Sequence, residues 1–410
     1  MSDTVVIAGA GHAAGQAAIS LRQEKFKGRI IMVGDEAYLP YQRPPLSKKY
    51  LAGKLELDRL LLRKKHFYVE HDVEVKLSTR VEEIQREKNS VLLSNGDLLS
   101  YDRLLLATGS HVRRIGVTGE DLDGVHYLRT VSDVDAIKAN FKPGARLAIL
   151  GAGYIGLEVA AVAVSRGLRV TVLEVAERVM SRVVAPVVSE FFEHVHRDAG
   201  VDIRCGISHG GIFNGGQRVE AIRFVDGQEL PTDLVVIGVG IQPTTDVAEA
   251  AGLKCDNGIV VDEYCRTSDP HILAAGDCTN HPNSLLGRRL RLESVHNAQE
   301  QAKTAAATIC GTLRPYAQVP WFWSDQYDLK LQIVGISGDH DNVVLRGSPD
   351  TRSFAAFYLK GDVLIAVDCI NSPREFMLAK KLIASAARLD AEILADTAIQ
   401  FKDLATAALG

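Results

Sequence analysis

Thr4-Val5-Val6-Ile7-Ala8-Gly9-Ala10-Gly11-His12-Ala13-Ala14-Gly15 is the stretch on which the reading of this chain turns. Five residues of strand type run into a glycine-rich turn, and the turn opens an apolar helical stretch that continues to Leu21. The spacing is G-x-G-x-x-A. Gly9 and Gly11 permit a tight turn and let the backbone come close to a pyrophosphate, while the helix start offers free N–H groups and the positive end of its dipole. Gly9, Gly11, Ala13 and Ala14 are the cofactor-binding candidates of this turn. A second strand, Arg29-Ile30-Ile31-Met32-Val33, ends in Gly34-Asp35, which puts an acid about two dozen residues past Gly9, where a ribose would be bound.

The same arrangement occurs again. Arg146-Leu147-Ala148-Ile149-Leu150 reads as a strand, Gly151-Ala152-Gly153-Tyr154-Ile155-Gly156 as the turn, and Leu157 to Val164 as the helix. Arg169-Val170-Thr171-Val172-Leu173 is the next strand and ends at Glu174. One glycine-rich turn is weak evidence, because such turns are common; two in the same strand–turn–helix–strand–acid setting are strong evidence.

The repeat extends outward. Asn95-Gly96 marks a hairpin in the first half and Asp226-Gly227 one in the second. Each hairpin is followed by a buried strand that ends in glycine: Leu104-Leu105-Leu106-Ala107-Thr108-Gly109, and Leu234-Val235-Val236-Ile237-Gly238-Val239-Gly240. Two related nucleotide-binding domains in tandem follow. Ile272-Leu273-Ala274-Ala275-Gly276-Asp277 adds a strand ending in an acid able to accept hydrogen bonds from a ribityl chain. A helix from Ser294 to Ile309 follows, with Ala298, Ala302, Ala305 and Ile309 on one face. From about Pro320 the pattern changes to strands and then a helix from Pro373 to Ser385, which predicts a separate α+β domain.

Composition narrows the function. At 46% hydrophobic and 24% charged the chain is an ordinary globular one, and its net charge of −4 argues against a nucleic-acid binder. No apolar run reaches the length of a membrane span. Met1-Ser2-Asp3 leads straight into strand residues without a basic targeting stretch, so the expectation is a cytoplasmic protein. Cys205, Cys255, Cys265, Cys278, Cys310 and Cys369 form no C-x-x-C pair and no metal pattern. A thiol relay is therefore not expected, and no metal site is.

Arg43-Pro44-Pro45-Leu46-Ser47-Lys48, Ala107-Thr108-Gly109, Gly276-Asp277 and Pro320-Trp321-Phe322-Trp323-Ser324-Asp325-Gln326-Tyr327 carry a family resemblance over essentially the whole chain. It resembles the FAD-dependent NADH:ferredoxin reductases of bacterial oxygenase systems. The resemblance implies a glutathione-reductase-like fold: an α/β chain with two tandem Rossmann-like domains and a C-terminal α+β domain. It implies an FAD domain over 1–115 and 243–319, an NAD domain over 116–242 and a C-terminal domain over 320–410. Ala13, Asp35, Lys48, Val81, Arg129, Asp277 and Val295 match positions that contact FAD, and Arg43, Ala107, Thr108, Gly109 and Gly276 lie in the same motifs. Gly151, Gly153, Gly156 and Glu174 match the nicotinamide-nucleotide site, with Gly240 at the neighbouring strand end. Lys48 and Glu158 match a charged pair beside the flavin and nicotinamide rings, and Trp323 a tryptophan near the ferredoxin face.

Taken by themselves several of these residues read differently: Lys48 as a solvent-exposed lysine, Glu158 as a helix-surface glutamate, the tryptophans as core or interface filling. Glu174 favours NADH, because a carboxylate accepts from the ribose 2′-OH and repels a 2′-phosphate. Arg178 and Arg182 soften that preference. His12 and His296 read as structural, and the basic clusters Arg63-Lys64-Lys65, Arg288-Arg289-Arg291 and Lys380-Lys381 are docking candidates for an acidic iron–sulfur ferredoxin serving an oxygenase. The expected assembly is a monomer or weak homodimer. The competing readings are an NADH oxidase, a rubredoxin or quinone reductase, and a flavoprotein that works by binding, like apoptosis-inducing factor.

Overall fold

The computed structural model describes residues 3–207, 212–214 and 216–410, so Met1 and Ser2 lie outside it. The chain divides into two compact units: Met1–Gln42, Leu57–His111 and Ile241–Pro320 form one, and Arg43–Glu56, Val112–Gly240 and Trp321–Gly410 the other.

The first unit is built on a five-stranded parallel sheet in the spatial order Ile272–Ala274, Arg103–Leu106, Thr4–Ala8, Arg29–Val33, Val73–Lys76. Its central strands are covered on both faces, which is why they read as unbroken apolar runs rather than alternating ones. The strand order reverses beside Thr4–Ala8, and the crevice outside that reversal is where an open α/β sheet takes a ligand. Helix His12–Gln23 packs against helix Val295–Ile309 through Ala13, Ala14, Ala17, Ala18, Ala298, Ala302, Ala305 and Ala306. Side chains this small let two helix backbones approach closely. A three-stranded antiparallel sheet, Val81–Gln85, Ser90–Leu93 and Leu98–Ser100, carries the expected Asn95-Gly96 turn.

The second unit repeats the plan. Asp202–Arg204, Arg169–Leu173, Arg146–Leu150, Leu234–Ile237 and Val125–Tyr127 form a parallel sheet in that order. Helix Tyr154–Ser165 follows the second glycine turn. The repeat is visible in single hydrogen bonds: Gly9 N–H donates to Val33 O at 2.7 Å, and Gly151 N–H to Leu173 O at 2.8 Å. Ala107 N–H donates to Ala8 O and Gly238 N–H to Leu150 O, both at 2.8 Å. The same unit holds a five-stranded antiparallel sheet in the order Trp321–Gln326, Leu329–Gly335, Val363–Ile370, Ser353–Lys360, Asn342–Ser348, with helix Pro373–Ala384 packed on it. The Trp-Phe-Trp run opens the first of these strands.

Candidate active site

Each glycine turn is shaped by what its glycines prevent. At Gly9 (φ +121°) an added Cβ would lie 2.2 Å from Ala107 O, and at Gly156 it would lie 2.0 Å from Gly151 O. Gly11 and Gly153, the caps of the two helices, face open space, since an added Cβ meets nothing within 4 Å. Neither helix start is capped by a side chain. The two turns therefore combine a close-packed inner side with a bare outer side presenting N–H groups, which fits a dinucleotide pyrophosphate at each.

Ala107 and Gly276 lie against the first turn, at Gly9 and Ala13. Gly276 (φ +93°) packs against Ala13, and its N–H donates to Gln301 Oε1 at 2.7 Å. Asp277 accepts from Ser110 Oγ at 2.9 Å. Thr108 Oγ1 donates to Thr244 O at 2.7 Å, with Gly109 (φ +66°) following. Ala14 and Ala107 are buried; Val81 opens its strand in the same unit, and Val295 is the first residue of its helix. Asp35 is exposed and follows Gly34, the residue that corresponds in the repeat to Glu174. The neighbouring Glu36, which the sequence reading passed over, accepts from Tyr41 Oη at 2.5 Å. Arg43, Lys48 and Arg129 belong to the other unit, where Arg43 donates to Arg129 O at 2.8 Å.

Around the second turn, Glu174 accepts from Ala152 N–H at 2.7 Å and from Ala176 N–H at 2.9 Å. The carboxylate thus holds the glycine loop by its own backbone and keeps acceptor capacity for a ribose hydroxyl. Arg178 donates to Val184 O and Ser181 O, so its guanidinium is engaged in closing its own loop. Gly240 (φ +107°) accepts from Arg113 N–H at 3.0 Å.

Glu158 is no surface residue: it is 3% exposed. Lys48 Nζ lies 2.7 Å from its Oε2, Ser47 Oγ donates to the same oxygen, and Ser324 Oγ donates to Oε1 at 2.6 Å. An ionised carboxylate out of water needs this many partners, each hydrogen bond to it being worth about 1.5–3 kcal/mol. Ser47 and Ser324 were missed as site residues, although both lie inside the quoted motifs. Tyr154, also missed, is half-buried against Phe322 with ring centroids 4.9 Å apart. Trp323 is half-buried beside Trp321 at 5.5 Å.

All six cysteines are free. Burial pushes the Cys205 and Cys255 thiols up to about 11 and raises those of Cys265, Cys278, Cys310 and Cys369. A raised thiol is a poor nucleophile, so none of them is poised for disulfide exchange. Among the described residues no cluster could hold a metal ion. Of the basic clusters, Arg289 is tied to Asn280 and Val261 O, Arg291 to Glu293, and Lys380 lies over the Trp321 and Phe376 rings.

Comparison with known proteins agrees with this chemistry. Residues 3–302 match the family model described as pyridine nucleotide-disulphide oxidoreductase, and residues 321–405 the one described as reductase C-terminal. The chain is 43% identical to putidaredoxin reductase of Pseudomonas putida over 99% of its length and 98% of the relative's. It is 45% identical to the ferredoxin reductase subunit of 5,5′-dehydrodivanillate O-demethylase of Sphingobium sp., over 99% and 98%. The crystal structure of a covalent putidaredoxin reductase–putidaredoxin complex superimposes with a TM-score of 0.96 at 43% identity, covering 99% of both chains.

Proposed function

Because the chain belongs to the pyridine nucleotide-disulphide oxidoreductase family, we propose that it is an FAD-dependent NADH:ferredoxin reductase supplying electrons to an oxygenase. The observation that carries this reading is the pair of glycine turns, each with a bare N–H face outside the strand-order reversal of its own parallel sheet. One turn takes FAD and the other NADH. FAD held at the first turn would supply the hydride-accepting and single-electron-releasing chemistry that links NADH to a one-electron carrier.

The residues of this chain do the rest. Gly9, Gly11, Ala13, Ala14, Asp35, Arg43, Lys48, Val81, Ala107, Thr108, Gly109, Arg129, Gly276, Asp277 and Val295 hold FAD. Gly151, Gly153, Gly156, Glu174 and Gly240 hold NADH, with Glu174 taking the ribose hydroxyl. Glu158 orients the carboxamide of the nicotinamide, and Lys48 supplies positive charge where negative charge develops. Trp323 lines the electron exit. Holding the two rings in register supplies much of the acceleration. The six cysteines form no C-x-x-C pair, so the path includes no disulfide relay. The partner is an acidic iron–sulfur ferredoxin, the assembly a monomer or weak homodimer, and the domain limits 1–115 with 243–319, 116–242 and 320–410. No described helix is long and apolar enough to cross a membrane; we place the reaction in the cytoplasm.

The test is NADH-driven reduction of cytochrome c by the purified flavoprotein, with and without an added oxygenase-type ferredoxin. Turnover that depends on ferredoxin is expected. Equal, rapid turnover without it would replace this reading with an oxidase or quinone reductase.

A further inference from the structure

A buried line of side chains runs to Glu158 from the surface. Ser324 and Gln326 sit two residues apart on one strand, so both point to the same face. They are 0% and 1% exposed, and His196, on helix Pro186–Asp198, is 0% exposed. Tyr327, 38% exposed, begins the two-residue turn that joins Trp321–Gln326 to Leu329–Gly335.

The chemistry of the last acceptor fixes the direction of every bond in this line. An ionised carboxylate only accepts, so Ser324 Oγ–H donates to Glu158 Oε1. Ser324 Oγ then accepts from Gln326 Nε2 at 3.1 Å. The amide is thereby oriented with Oε1 toward His196, whose Nε2 lies 2.8 Å away and must carry the proton. A neutral imidazole protonated at Nε2 accepts at Nδ1, and Tyr327 Oη lies 3.0 Å from it. Four donors point one way, toward Glu158, and bonds aligned head to tail in a dry interior polarise and strengthen one another. Desolvation lowers the His196 pKa and raises that of Tyr327 to about 12, which keeps the imidazole neutral and the phenol a donor.

Tyr327 has φ +57°, a left-handed conformation that two-residue hairpin turns usually give to glycine, asparagine or aspartate. A bulky aromatic is held there with its ring edge-on to His196, the centroids 5.0 Å apart.

We propose that His196, Gln326 and Ser324, with Tyr327 at the outer end, are positioning residues that aim the Glu158 carboxylate at a nicotinamide nucleotide. The proposal rests on the reading of Glu158 given above. None of the four touches the nucleotide; they act through the orientation and basicity of Glu158.

Two measurements test it. In ¹⁵N-histidine-labelled wild-type holoprotein, with His196 assigned by His196→Gln, the ring stays neutral with its proton on Nε2; a proton on Nδ1 overturns the proposal. The second is the NAD⁺ dissociation constant by calorimetry for oxidised holoenzyme carrying Ser324→Ala, Gln326→Leu, Glu158→Gln, or Gln326→Leu with Glu158→Gln. Ser324→Ala should weaken binding about tenfold, Gln326→Leu severalfold, and Gln326→Leu should add nothing once Glu158 is glutamine. Weakening by Glu158→Gln with wild-type binding in both chain variants overturns the proposal alone. So does an undiminished Gln326→Leu effect in the Glu158→Gln background, the mark of a merely structural role. Wild-type binding by Glu158→Gln overturns the reading of Glu158 and the proposal with it.

Discussion

Lys48 Nζ and Glu158 Oε2 stand 2.7 Å apart although 110 residues separate them in the chain, and both are largely out of water, their side chains 15% and 3% exposed. Their meeting turns a lysine of an ordinary basic stretch and a glutamate of an ordinary helix into one electrostatic device. Lys48→Met leaves Glu158 with two hydroxyl donors but no counter-charge. Stripping one partner from a buried pair costs about 3–5 kcal/mol, and the retained serines bring the expected loss to about 2 kcal/mol by urea unfolding. In anaerobic stopped-flow, flavin reduction by NADH slows. A wild-type rate would remove the role given to Lys48.

Gly11 and Gly153 separate binding from folding. Gly11 has φ −91° and Gly153 φ −77°, and an added Cβ touches no protein atom at either. Gly11→Ala should fold, with unchanged circular dichroism, and lose its 450 nm flavin absorbance. Gly153→Ala should keep its flavin and bind NADH at least tenfold more weakly. Wild-type flavin content in Gly11→Ala would refute the cradle.

Glu174 has a loop to hold as well as a ribose to bind. Glu174→Ala should raise KM for NADH about tenfold, the worth of one hydrogen bond to a charged group. KM for NADPH should fall or stay level, because the repulsion toward a 2′-phosphate is gone. Equal increases for both would mean that only the tie to Ala152 matters.

Trp323 shares its strand with Ser324 but points the other way, beside Trp321. Trp323→Ala should cut ferredoxin reduction severalfold and leave flavin reduction by NADH intact. Equal loss of both would make the residue structural.

Asp368 supplies a pH dependence. Its carboxyl is fully buried, and desolvation pushes it up to about 7 despite the hydroxyl that Tyr358 donates to it. The native state thus holds a proton that the unfolded chain has released between about pH 4 and 7, so this stabilisation is lost as pH rises through that window. His281, lowered to about 4 by burial, acts in the opposite sense below about pH 6.5. Comparison with Asp368→Asn isolates the carboxyl: from pH 5 to 8 the wild type should lose on the order of 2 kcal/mol relative to the variant. Parallel stability curves would refute it.

Local pattern determined a great deal of this protein by itself. The two glycine turns, their strands and helices, the hairpins at Asn95-Gly96 and Asp226-Gly227, and the acid at Glu174 all depend on residues close together in the chain, where backbone sterics and side-chain period leave few choices. The resemblance added Lys48 and Glu158 as a charged pair beside the cofactor rings and Trp323 as a tryptophan near the ferredoxin face, but not the protein groups that surround them in this chain. Only the tertiary structure decided that Glu158 is buried, that Ser47 and Ser324 complete its shell, and that His196, Gln326 and Tyr327 line up behind it. Burial and hydrogen-bond partnership depend on segments far apart in sequence that share no periodic signal, so a serine in a motif and a histidine on a helix look the same from the chain alone whether they face water or a carboxylate.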